Sequence, residues 1–131
     1  MSDELKAINL LITRRDWKTL KALSLSGINE FDVAASLREP GIDLINHHYY
    51  LAISQYSLGE VKSSVESFRL ATTLSPDSSI IWGSYGDALL AEFKCVDAKR
   101  AFERAWKLEK NEVSKRSLAK METMYRQAKR S

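Results

Sequence analysis

The chain predicts an all-α fold of about seven helices, arranged as repeated helix pairs, and three observations carry that expectation. A shift of 34 residues places Ala52 on Gly86, Phe68 on Phe102, Ala71 on Ala105, Leu74 on Leu108 and Asp77 on Asn111. Self-similarity at a fixed period of this size marks a repeat architecture. Apolar residues recur at helical spacing, and no segment alternates with the period of two that a half-buried strand requires. The 131 residues include only two prolines and five glycines, which argues against a collagenous, linker-like or turn-rich β protein.

The elements follow in chain order. Residues 3–13 form a helix with Leu5, Ile8, Leu11 and Ile12 inward, and Asp16 caps a second that carries Trp17, Leu20 and Leu23. Ser26-Gly27 is expected to close this second helix, and Asn29 to cap a short one reaching Arg38, ahead of Pro40-Gly41. Leu44 to Leu58 carries apolar residues on too many positions for one narrow stripe, so it is expected to be covered on two sides. Gly59 ends it, as a residue tolerant of left-handed backbone should. Glu60 to Leu74 follows, with Val61, Val65, Phe68 and Ala71 at helical spacing. Ser75-Pro76-Asp77 breaks the chain, and Asp77 or Ser78 caps a helix from Ser79 to about Glu92. Its partner runs from about Val96 to Leu108, with Ala98, Ala101, Phe102, Ala105 and Leu108 on one side. Asn111 caps the last helix, whose Leu118, Met121, Tyr125 and Ala128 form a stripe over a basic face.

Composition excludes several classes. The single cysteine, Cys95, cannot form an internal disulfide, so a disulfide-built secreted scaffold is ruled out. The longest apolar run, Tyr49 to Ile53, is far short of the roughly 20 residues of a membrane span. The opening Met-Ser-Asp-Glu is acidic where a secretory signal is basic, so a soluble, cytoplasmic chain is expected. Net charge is +3, with four acids against one base over 29–44 and six bases against two acids over 111–131. That balance makes no general case for nucleic acid.

The repeats resemble the tetratricopeptide repeat (TPR) family. Trp82, Tyr85, Gly86 and Leu89 stand on the first helix of one unit, with Ala98, Phe102 and Ala105 on its second. Leu51, Ala52, Ser64, Phe68, Ala71 and Pro76 repeat the pattern in the other. The departures are His48 for the usual tryptophan, Gln55 for tyrosine, Phe93 for the turn glycine and Lys110 for the terminal proline. The resemblance implies a right-handed solenoid of antiparallel helix pairs in a single domain spanning 1–131. Its parts would be a worn pair (1–28), an acidic insert (29–44), two repeats (45–78 and 79–111) and a capping helix (112–131). It also implies a concave face that binds peptides or protein segments, as an adaptor or small chaperone does, with no enzyme chemistry of its own. By register, that face would hold Asn46, Tyr49, Tyr50, Ile53 and Tyr56 in one unit and Ile80, Gly83, Ser84, Asp87 and Leu90 in the next. Relatives that hold a C-terminal carboxylate use lysine and asparagine where this chain has Tyr49 and Ile53, so that clamp is absent.

No residue pattern calls for a metal or cofactor. His47 and His48 are adjacent, so on a helix they point about 100° apart and cannot chelate one ion; one packed and one exposed histidine is the expectation. Cys95 sits at an inter-helix turn as a packed thiol, and no phosphate loop, paired carboxylates or nucleophile elbow is present. Tyr49 and Tyr56, seven residues apart, offer aromatic anchors with polar tips, and Asp87 offers a partner for a ligand Lys or Arg. Two alternatives remain: nucleic-acid binding through the basic C-terminal helix, and a homo-oligomer built through exposed repeat faces. Capping of the last core is the preferred role for that helix.

Overall fold

In a computed structural model, residues 3–34 and 44–130 are described, with the side chains of 6–28, 47–124, 126 and 127. These residues form seven helices and no strand: α1 (Asp3–Thr13), α2 (Trp17–Ala34), α3 (Leu44–Ser57), α4 (Val61–Leu74), α5 (Ser79–Ala91), α6 (Cys95–Leu108) and α7 (Glu112–Arg130).

One turn design recurs where α1 meets α2, α3 meets α4 and α5 meets α6. Arg15, Gly59 and Phe93 adopt left-handed backbone, with φ of 55°, 86° and 60°. At each, the residue's own N–H reaches back three residues, to the carbonyls of Ile12, Tyr56 and Leu90, at 2.9–3.1 Å. The next N–H reaches back five, to Leu11, Gln55 and Leu89, at 2.8–2.9 Å. This pairing satisfies carbonyls that a helix end would otherwise leave open. Asp16 then caps α2, accepting from the Thr19 N–H at 3.2 Å. Only Gly59 adopts the conformation without a steric cost; Arg15 and Phe93 each carry about 1 kcal/mol of strain.

Residues 1–67 form one compact unit and 68–131 a second, with the division falling inside α4. In the first, α2 packs against α1 and α3. Ile8 and Leu20 are fully buried, with Leu11, Ile12, Trp17, Leu23 and Tyr50 packed around them. The expected stop at Ser26-Gly27 does not occur. α2 runs through it to Ala34, and Gly27 is buried where a Cβ would overlap the His47 imidazole. Glycine is there for close approach, which offsets the ~1 kcal/mol it costs a helix interior. The separate helix expected from Asn29 is therefore replaced, over 29–34, by the end of α2; residues 35–43 lie outside those described. Ser24, Ser54 and Ser64 turn their hydroxyls onto carbonyls of their own helices at 2.6–2.8 Å, which lets polar residues occupy a tight core. Buried Ser67 donates to Gln55 Oε1 at 2.7 Å, and Lys21 pairs with Glu60 at 2.6 Å.

In the second unit, α6 packs against α5 and α7, and α7 also touches α5. Ser78 rather than Asp77 caps α5, its Oγ accepting from the Ile81 N–H at 3.3 Å. Ile81, Ala88 and Leu89 of α5 meet Ala98, Ala101, Phe102 and Ala105 of α6 in a core of mostly small side chains. A Cβ on Gly86 would lie 2.6 Å from the Phe102 ring. Asn111 caps α7 by accepting from the Ser114 N–H at 2.9 Å. Along α7, Ser114 and Met121 are buried, while Lys115, Arg116, Lys120 and Arg126 face water. Tyr125 and Ala128, expected on the inner stripe, have side chains outside those described.

Two stability measurements check this packing. Phe102→Ala is expected to lower unfolding free energy by about 3–5 kcal/mol in denaturant melts, because the vacated ring volume sits against Gly86; a change below about 1 kcal/mol contradicts it. Phe93→Gly is expected to raise stability by about 0.5–1 kcal/mol, since it relieves the left-handed strain. The ring is 88% exposed, so little burial is lost. An unchanged or lower melting temperature contradicts that assignment.

Candidate functional site

The residues of α5 separate by helical angle. At 100° per residue, Ile80, Gly83, Ser84 and Asp87 fall on one face, and Trp82, Tyr85 and Leu89 on the opposite one. The second face is aromatic: the Trp82 and Tyr85 rings lie 6.0 Å apart, and Trp82 Nε1 donates to the Pro76 carbonyl at 2.9 Å. The first face opens onto a groove of about 360 Å³. Its walls are Ser79, Ile80, Gly83, Ser84 and Asp87 from α5, and Val113, Ser114 and Ser117 from α7. Phe102 and Ala105 of α6 complete the lining, with Glu109 and Asn111 from the α6–α7 turn. The volume is at the lower end of those that hold small ligands or a few side chains.

Polar and apolar groups are divided unevenly within it. Ile80 and Val113 stand 66% and 73% exposed on the two walls. Gly83 has no heavy atom within 4 Å of where a Cβ would stand, so its absent side chain leaves the groove open rather than permitting close packing. Two carboxylates line the groove, and none of the lining residues is Lys, Arg or His. Burial raises the Asp87 pKa above the ordinary carboxylate value, and the charge of Lys120 on α7 pulls in the other direction. The side chain is nonetheless exposed to solvent, which screens its charge and keeps the rise small. Glu109 is held below its ordinary value by hydrogen bonds, first from Ser79, whose Oγ donates to Oε2 at 2.7 Å, then from Asn111.

Of the residues expected on a concave face, Ser84 and Asp87 line this groove together with Ile80 and Gly83, whereas half-buried Leu90 is not part of the lining. In the first unit, Tyr49, Ile53 and Tyr56 share one face of α3 by helical angle, with Tyr56 exposed and the other two half-buried. Tyr50 turns away from that face and packs on Ile8 and Leu20 as a core residue, its ring 5.8 Å from that of Tyr49. The Asn46 side chain lies outside those described. His47 is buried and His48 half-buried, so neither is the exposed histidine expected from the sequence; the space His47 fills is the one Gly27 leaves. Cys95 begins α6, half-buried. Among the described residues, no three His, Cys, Asp or Glu side chains are grouped to hold a metal, and no helix is long and apolar enough to cross a membrane. Sequence reasoning missed the α7 wall. Ser114 lies one turn before Leu118 on the stripe already read, and Val113 and Ser117 flank it.

One pH measurement follows from Asp87. Its carboxyl binds a proton more tightly in the folded chain than in the unfolded one, so stability falls as pH rises from the ordinary carboxylate value through the raised one. Asp87→Asn is expected to melt higher than the natural chain at neutral pH, with the advantage vanishing under acid conditions where both carry a neutral side chain. A constant difference across the pH range contradicts the assignment.

No protein-family model matches the sequence, and no curated protein matches it. Solved structures do. The Sgt2 TPR domain from Aspergillus fumigatus superposes with a TM-score of 0.71 at 20% identity, covering 99% of this chain and 84% of that one. The first TPR domain of human RPAP3 superposes at 0.80 and 16% identity, covering 96% and 92%. The first TPR of Spaghetti (RPAP3), bound to the HSP90 peptide SRMEEVD, superposes at 0.76 and 17% identity, covering 92% and 88%. The chain therefore has the all-α, helix-pair fold of a tetratricopeptide-repeat domain.

Proposed function

We propose that this chain is a non-catalytic protein-interaction module, an adaptor or small chaperone, that holds an extended segment of a partner protein in the groove between α5 and α7. The observation that carries this reading is the groove itself. It is open at Gly83, has exposed Ile80 and Val113 on facing walls, and offers the polar side chains of Ser84 and Ser117. An extended chain has unpaired backbone N–H and C=O groups that such side chains can satisfy, while the branched apolar residues bury its side chains. The Spaghetti neighbour, with its bound peptide, shows a peptide held on this fold and supports the reading by analogy. No nucleic acid, membrane or cofactor enters this reading, and Tyr49 and Tyr56 are held in reserve as a further contact surface on α3.

Gly83→Phe tests it. The Cβ has room, so the ring is expected to occupy the groove without unfolding the chain. Twelve-residue peptides selected from a random display library against the full natural chain are expected to lose about tenfold or more in affinity for the folded variant, a loss of at least ~1.4 kcal/mol. Peptides that bind both chains equally contradict the groove assignment.

A further inference from the structure

Resting on that reading of the groove, we propose that its partner is a segment presenting a Lys or Arg side chain beside a branched or aromatic apolar one, and that acidic C-terminal tails are rejected.

Charge complementarity carries the argument. The groove is lined by Asp87 and Glu109 and by no cationic side chain. A carboxylate-bearing segment would be brought against two like charges, of which only Asp87 has a cation, Lys120, acting on it, and interfaces use such juxtaposition to exclude wrong partners. A guanidinium or ammonium meets the opposite situation. Glu109, exposed at the groove's end, accepts from Ser79 at 2.7 Å, and hydrogen bonds from Ser79 and Asn111 favour its ionised form. Asp87 is carried on the exposed edge of α5, and burial against the groove wall works against its charge. A ligand cation placed there restores what desolvation removes. Lys120 on α7 already interacts favourably with Asp87 from outside the lining, which marks the position as one where positive charge is accepted.

The apolar requirement comes from Ile80 and Val113. Both are β-branched and therefore stiff, and both are mostly exposed on the two walls, so covering them gains apolar burial at small entropic cost. A segment with an aliphatic or aromatic side chain between these walls brings a neighbouring basic side chain within reach of the carboxylates. The acidic peptide SRMEEVD, which the Spaghetti domain holds, has the opposite charge pattern.

The experiment uses the full chain and the display-selected peptides defined above. Peptides whose binding is lost in Gly83→Phe are expected to be enriched in Lys and Arg over Asp and Glu and to carry an adjacent apolar residue. Exchanging the basic residue for Glu in a synthetic peptide should weaken binding about tenfold in calorimetry. Asp87→Lys should prefer the Glu peptide, and Asp87→Asn, which preserves size, should lose the preference without reversing it. SRMEEVD should show no saturable binding to the natural chain. Groove-dependent peptides without a basic bias, or a Lys-to-Glu exchange worth less than about threefold, overturn this proposal while leaving the interaction module standing. Binding indifferent to Gly83→Phe overturns both. Concentration-dependent self-association of the natural chain in ultracentrifugation, abolished by Gly83→Phe, makes the occupant a second copy and overturns the partner assigned here.

Discussion

The second unit depends on how closely α5 approaches α6 at one point. Gly86 presents bare backbone to the Phe102 ring, and a single added carbon would lie 2.6 Å from it. That approach allows Ala98, Ala101 and Ala105 to form a dense core with few large side chains, where density rather than bulk provides the dispersion energy. It also bears on the groove, because Phe102 and Ala105 belong to its lining as well as to the core. The first unit uses the same device with different chemistry, placing Gly27 of α2 against the His47 imidazole of α3. At both positions any larger side chain would force the neighbouring ring to move.

Helix ends are as strongly specified as helix faces. The turns at Arg15, Gly59 and Phe93 share one hydrogen-bond pattern, although only one of the three residues is glycine. The backbone pattern is thus imposed by the packing of the helices on either side, and the residue at the turn adjusts to it at a modest cost. Asp87 carries a different cost. Burial opposes the ionisation of this carboxyl more than the charge of Lys120 favours it.

Much of this was legible in the sequence, for identifiable reasons. The 34-residue period, the caps at Asp16 and Asn111 and the stop at Gly59 are local signals, read from a few neighbouring residues, and the helices begin and end within a residue or two of them. Gly27 misled because a glycine that admits a neighbouring ring and a glycine that ends a helix look the same in one dimension; His47, twenty residues on, distinguishes them. Phe93 was legible as a departure from the repeat, but not as a residue forced into left-handed backbone. Tyr50 could not be separated from Tyr49 by pattern, since α3 is apolar on more than one face and only the α1–α2 core decides which ring turns inward. Of the groove lining, the α5 residues had been placed together by the repeat register. The α7 wall did not, because Ser114 and Ser117 have the size of core spacers and the polarity of surface residues.

A double-mutant cycle between Gly86 and Phe102 tests the central constraint most directly. Gly86→Ala, Phe102→Leu and the pair together would be compared by denaturant unfolding at equilibrium. If the methyl and the ring compete for one space, the double variant will be more stable than the sum of the single losses predicts, by about 1 kcal/mol or more. Losses that add within about 0.3–0.5 kcal/mol would show that the two positions do not share that space, and would contradict this account of the core.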